Sequence, residues 1–272
     1  MELPLATTSS NATNTASPLN RRFAALRAEG RRALVCYVTA GHPDVAKSVQ
    51  LLRGLEQAGA DVIEVGVPFS DPLADGPVIQ RSSQLAIEQG MTLERTLALI
   101  ADAAVAVPVV LFSYLNPIIA AGPNVLARAR AAGVSGVLVT DLPVGADPTR
   151  EAWFGASGLD FIRLVAPTTP AARMADISAH GGGFVYLISR MGVTGEQETL
   201  ADDLPATVAR LRASTSLPIC IGFGISTPDQ ARAAAQLGDG VVVGSALVRA
   251  AERSVTEAVA LAVGLRAAID AA

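Results

Sequence analysis

Short apolar runs recur along this chain, each followed by a stretch in which apolar residues fall three and four apart. The runs cover residues 34–38, 62–65, 109–112, 136–139, 161–165, 184–188, 219–221 and 241–243. They are rich in Val and Ile and are continuous rather than alternating, which suits strands covered on both faces. The stretches between them carry helical spacing, as in Val45, Val49, Leu52 and Leu55. Some helices announce their starts. Thr227-Pro228-Asp229-Gln230 sets a capping residue before a proline at the first helical position, and Thr92 opens a helix over 93–104. Asp202 is expected to open a helix running through Leu211, and a short helical piece over 246–251 follows the last strand. The segment around 149–156 is poorly patterned.

Eight strand-then-helix units without a break in composition predict an α/β chain folded as one (β/α)8 barrel. A doubly wound open sheet is the alternative. It usually carries a glycine-rich fingerprint after its first strand, and Thr39-Ala40-Gly41-His42-Pro43 does not fit that pattern. Residues 1–20 are rich in Ser, Thr and Asn and are expected to be a disordered extension, with a first helix over 21–29 and the barrel domain over 21–272.

Composition narrows the function. The chain has 272 residues, half of them hydrophobic, which suits a single large barrel. A net charge of −4 and a 4% aromatic content leave neither the basic footprint nor the stacking surface of a nucleic-acid binder. Cys36 and Cys220 both sit in apolar runs, so they are expected as reduced core residues. The longest apolar run, 103–112, is broken by Pro108 and is too short to span a bilayer. With no signal-peptide pattern at the start, a soluble cytoplasmic protein is expected.

Candidate chemistry concentrates after the second strand. Glu64 interrupts an apolar run, where a carboxylate must be desolvated and needs a partner or a job. The following loop holds Asp71 and Asp75 between Pro72 and Gly76-Pro77, so an acid/base pair is the functional reading. Helix capping would account for Asp71 or Asp75 but not for Glu64. After strand six a polar loop over 190–201 contains Gly192, Thr194 and Gly195. It can bury little apolar surface, so it is expected to be mobile, with the Thr194 hydroxyl a partner for Asp75. Gly224 follows strand seven, and Gly244-Ser245 precedes the last short helix. Glycines and a helix N-terminus there form the usual phosphate site of a barrel. Tyr186 shares a side of strand six with Phe184 and is either core filler or a hydroxyl at the pocket wall, while Asp141 could cap a helix or orient a partner. His42 and His180 are expected to be structural, and neither has a metal-ligand companion at useful spacing. The only lysine, Lys47, lies early on a helix, so a Schiff-base aldolase is not indicated.

Six stretches carry a family resemblance. They are residues 61–80 (DVIEVGVPFSDPLADGPVIQ), 139–144 (VTDLPV), 164–170 (LVAPTTP), 186–196 (YLISRMGVTGE), 221–229 (IGFGISTPD) and 241–248 (VVVGSALV). In them the chain resembles the tryptophan synthase α-chain family. That resemblance implies a lyase that splits indole-3-glycerol phosphate into indole and glyceraldehyde 3-phosphate. It implies no cofactor or metal in this chain. It also implies a tryptophan synthase β chain as partner, carrying pyridoxal phosphate, in an α2β2 heterotetramer. Carried over by position, Glu64 and Asp75 match the family's catalytic acids. Tyr186 matches its active-site tyrosine, and Gly195, Gly224, Gly244 and Ser245 match its phosphate contacts. Tyr37, Phe112 and Leu138 fall where the family lines its indole pocket. A free-standing lyase that releases indole, and an activating subunit without turnover, are the other readings.

Overall fold

The structure is a computed structural model that describes residues 16–189, 203–222 and 224–272. Its centre is a closed barrel of eight parallel strands paired in chain order. They are β1 (Ala33–Thr39), β2 (Val62–Gly66), β3 (Val109–Ser113), β4 (Val134–Val139), β5 (Asp160–Val165), β6 (Val185–Ile188), β7 (Ile219–Gly222) and β8 (Gly240–Val243). Closure comes from β8 pairing with β1, with Ala33 opposite Gly240 and Cys36 opposite Val243. Every apolar run read from the sequence is one of these strands.

Strand alternation divides the core into two shells. On β1, Leu34, Cys36 and Val38 face outward and pack under the helices, while Ala33 and Val35 face the barrel interior. On β2, Ile63 and Val65 face outward and Val62 faces inward, so the alternation carries Glu64 and Gly66 inward as well. The two cysteines lie in different shells, Cys36 outside and Cys220 inside, both buried and unbonded.

The barrel floor is closed by α1 (Pro18–Ala28), whose Leu19, Phe23 and Leu26 join the interior cluster. Phe23 meets Phe184 of the barrel with ring centroids 5.6 Å apart. This helix begins at Pro18, not at Arg21 as expected. Ser17 accepts the Asn20 amide and Pro18 fills the first turn, so a Ser-Pro cap reads as low-complexity tail when seen only as composition. Asp61, fully buried just before β2, binds this floor to the rest. It accepts the Leu34 amide at 2.7 Å and pairs with Arg266 at 2.8 Å and with Arg22 of α1.

The outer ring has more helices than one per strand. Two follow β2, α2 (Val45–Gln57) having preceded it: α3 (Pro77–Glu88) and α4 (Leu93–Ala103). Gly90, at φ +79°, turns the chain between them, and Thr92 caps α4 as expected. After β3 come α5 (Leu115–Ala120) and α6 (Val125–Ala131). The poorly patterned segment is α7 (Pro148–Gly155), capped by Asp147; only Phe154 of it is buried, so it has no apolar stripe to show. It is followed by α8 (Ala171–Ala179) and α9 (Leu204–Arg212). The cap position of α9 is Asp203, with no side-chain cap bond, while the expected Asp202 lies outside the described residues. The ring closes with α10 (Pro228–Leu237), α11 (Ser245–Arg253) and α12 (Val255–Asp270). Among the described residues no helix is long and apolar enough to cross a membrane.

Candidate active site

Glu64 sits at the middle of β2 with its side chain inside the barrel and no exposed surface. Neither of its carboxyl oxygens has a hydrogen-bond partner among the described residues. Burial alone pushes its pKa up to about 8. Asp75 lies in the loop between β2 and α3 and is also buried. Its Oδ2 accepts the Tyr114 hydroxyl at 3.2 Å, and its backbone carbonyl accepts from the Gln80 side chain at 2.8 Å. Burial raises its pKa to about 6, and the Tyr114 bond pulls in the opposite direction. Capping explains neither aspartate. The cap of α3 is Gly76, with no side-chain cap bond, and Asp71 stands exposed, accepting the Ser70 hydroxyl.

Both acids line a cavity of about 40 Å³ at the C-terminal ends of the strands. Tyr37, Phe112, Tyr186, Gly244, Ser245 and Ile79 complete the wall. Tyr37 meets Phe112 edge-on, with centroids 5.3 Å apart at 80°. Two glycines make room for the tyrosines. A Cβ on Gly66 would collide with the Tyr37 hydroxyl, and one on Gly222 would collide with that of Tyr186. Each tyrosine therefore lies over the end of the next strand, where a side chain is missing.

After β8, two strands from β2, Gly244 leads into α11, whose first residue is Ser245. Among the described residues no side chain caps this helix. Its neighbour α10 is different, because Thr227 and Gln230 form a full capping box that already occupies its leading amides. Of these two helix starts, α11 is the one that turns uncapped amides and the positive end of its dipole toward the cavity.

The remaining expected residues are placed less simply. Leu138 is fully buried in the barrel interior with Ile162 and Phe184, not on the cavity wall. Gly224 follows β7 at φ +86°, a conformation that favours glycine, and is not on the wall either. Thr194, Gly195 and the loop expected to be mobile lie outside the described residues. Asp141 accepts the Leu115 amide at 2.7 Å, so it caps α5 from the neighbouring loop. His42 is buried in the turn after β1, and His180 is exposed with Nδ1 2.8 Å from the Asp176 carbonyl. Ile79 and Tyr114 were not read from the sequence. Ile79 lies within the 61–80 stretch as an ordinary helix residue. Tyr114 carries one signal, a tyrosine directly past the end of a strand that already supplies Phe112.

A larger cavity, about 720 Å³, lies elsewhere, where α7 and α8 leave the outer face of β5 thinly covered. Its charged side chains are largely committed to one another. Arg163 pairs with Glu151 at 3.0 Å, lies over the Phe161 ring and donates to the carbonyls of Leu142 and His180, while Asp176 pairs with Arg173 and His180. Size does not make it the reactive site. The smaller cavity holds the two desolvated acids and the open helix terminus.

Fold and site together define a (β/α)8-barrel enzyme with its chemistry at the C-terminal face of the barrel. The family model of the tryptophan synthase alpha chain matches residues 23–268. A tryptophan synthase alpha chain of Desulfatibacillum aliphaticivorans is 46% identical over 241 residues, covering 88% of this chain and 91% of that protein. One from Geobacter sp. (strain M21) is 47% identical over 240 residues, covering 87% and 90%. The structure of Mycobacterium tuberculosis tryptophan synthase superposes with a TM-score of 0.87 at 37% identity, over 94% of this chain and 99% of that one. The chain belongs to the tryptophan synthase alpha chain family.

Proposed function

We propose that Glu64 and Asp75 perform the cleavage of indole-3-glycerol phosphate to indole and glyceraldehyde 3-phosphate, the lyase reaction of this family. The observation that carries the reading is a pair of carboxyls in one cavity whose surroundings separate them, one pushed up to about 8 and the other to about 6. At neutral pH the first holds its proton and the second is mostly ionised, which is the division of labour an acid and a base require.

The steps follow from that division. Breaking the bond between C3 of the indole ring and the glycerol chain sends an electron pair into the ring. The ring accepts it only after C3 has been protonated and the nitrogen has become electrophilic. Glu64 delivers its proton to C3 while Asp75 takes the ring N–H proton, giving the C3-protonated imine form. The Glu64 carboxylate then removes the proton of the hydroxyl beside the breaking bond. An aldehyde forms, the carbon–carbon pair flows through C3 to the nitrogen, and Asp75 returns its proton there. Both carboxyls end as they began. The uncapped start of α11, at Gly244 and Ser245, suits the substrate phosphate. Tyr37, Phe112 and Tyr186 supply apolar walls for the ring. A volume of about 40 Å³ is far below that of common ligand pockets. Entry of the ring therefore requires the walls of the cavity to part.

The partner in this reading is a pyridoxal-phosphate-carrying β chain in an α2β2 assembly, which receives the indole. Leu73, 91% exposed in the Asp71 loop, and Ile119, exposed on α5, support a partner on this face, because large apolar side chains standing in water at the mouth of a site favour being covered. Indole release and binding of a non-cleavable phosphate analogue, measured on purified Glu64→Gln and Asp75→Asn, test the assignment. Cleavage is lost in the first and falls at least a hundredfold in the second, with analogue affinity retained in both. Near-normal turnover in either variant removes that residue from the mechanism.

A further inference from the structure

We infer that Tyr114 is a positioning residue for the cleavage, fixing Asp75 as a hydrogen-bond acceptor and holding the loop that carries it. The inference rests on the proposed role of Asp75. Tyr114 directly follows β3 and is buried. Its ring leans on Phe69 with centroids 5.2 Å apart. Its backbone is fixed by the next residue, since the Leu115 amide donates to Asp141.

Among the described residues the hydroxyl makes two contacts, and their directions are forced. The Ala74 amide lies 2.8 Å from the phenolic oxygen, and an amide can only donate. The phenol is therefore the acceptor there. Its single proton is left for Asp75 Oδ2, 3.2 Å away. Asp75 must accept it, which its carboxylate form does with either oxygen and its acid form only with the unprotonated one. One hydroxyl thus ties down the backbone just before Asp75 and favours the charge Asp75 needs to receive the ring proton. Among the described residues, the other titratable groups acting on this pair are acids or phenols: Tyr37 beside Asp75, and Asp141 beside Tyr114. Glu64 shares the cavity. The bond from Tyr114 also opposes the effect of burial on Asp75.

Tyr114→Phe keeps the ring on Phe69 and removes the hydroxyl. A hydrogen bond to a charged group corresponds to about a tenfold to hundredfold change in rate when it acts on the reacting charge. The expected result is a fall in kcat of that order with KM changed less than about twofold. The acidic limb of the kcat–pH profile moves to higher pH, because the ionised form of Asp75 has lost its donor. The substrate phosphate titrates alike in both enzymes, so the difference between profiles belongs to the protein. Tyr114→3-fluorotyrosine, a stronger donor, moves the limb the other way and serves if Tyr114→Phe melts too low to assay. Phe69→Leu loosens the same packing and leaves the limb in place. In an Asp75→Asn background, Tyr114→Phe lowers kcat no further. An unmoved limb in both Tyr114 variants, or an undiminished loss in the Asp75→Asn background, overturns the inference and leaves Asp75 standing. Wild-type turnover by Asp75→Asn itself overturns both.

Discussion

Glu64→Gln should make the protein more stable as well as inactive, and the gain should depend on pH in a defined direction. Burial raises the Glu64 carboxyl from an ordinary 4.5 to about 8. Below the lower value the folded and unfolded chains both hold the proton, and Glu64 imposes no pH-dependent cost. Between the two values the unfolded chain releases the proton and the folded chain keeps it. Stability then falls by about 1.4 kcal/mol for each pH unit. From 4.5 to pH 7 the loss is about 3 kcal/mol, and by pH 8 it approaches 5 kcal/mol, where the folded carboxyl also ionises and the loss levels off. Glutamine has the shape of the protonated acid and does not titrate. Because neither oxygen of Glu64 has a partner among the described residues, no charge-assisted bond is lost with it. Wild type and variant should therefore unfold together near pH 4.5, and the variant should lead by about 3 kcal/mol at pH 7. For a domain of this size that is a rise in Tm of about 6–12 °C. Denaturant unfolding of both proteins from pH 4.5 to 8.5, at constant ionic strength, gives the difference directly. A gap that is flat with pH, or one that favours wild type at pH 8, would refute the reasoning.

Three further expectations follow from the geometry. Ser245→Asp sets a negative charge at the open start of α11, so KM for indole-3-glycerol phosphate should rise at least tenfold while the fold stays intact; an unchanged KM would move the phosphate elsewhere. Gly222→Ala drives a methyl group into the Tyr186 hydroxyl inside a packed barrel, which should cost about 1–3 kcal/mol and lower kcat/KM, and adding Tyr186→Phe should recover part of the stability. Asp61→Ala strips Arg266 and Arg22 of a shared carboxylate and leaves the Leu34 amide without its acceptor, for an expected stability loss of about 3 kcal/mol or more, read from a lower denaturant midpoint at constant m-value.

Local and periodic features are legible in the chain alone. Eight β-branched runs are the eight strands, because a strand buried on both faces must be apolar throughout. Thr92 and Thr227 mark helix starts because a capping bond spans only three residues. Glu64 could be singled out because a lone acid in such a run conflicts with its neighbours. Where local signal was thin, the reading shifted: α1 begins three residues earlier than expected, since Ser17 and Pro18 act as a cap only once Leu19 has a barrel floor to fill. Convergence of distant residues comes from tertiary packing. Asp75 and Tyr114 are 39 positions apart, and nothing in the spacing says that one hydroxyl holds the other's carboxylate. Both α10 and α11 follow glycine-bearing turns, yet only the bonds made by Thr227 and Gln230 show which start is already occupied. Leu138 and Phe112 both alternate inward, and the depth of each along the barrel puts one in the core and the other on the cavity wall. Periodicity and capping act within a few residues and are written in the chain. The meeting of β2, its loop, β3 and α11 depends on closing the barrel in register, so it exists only once β8 has paired with β1.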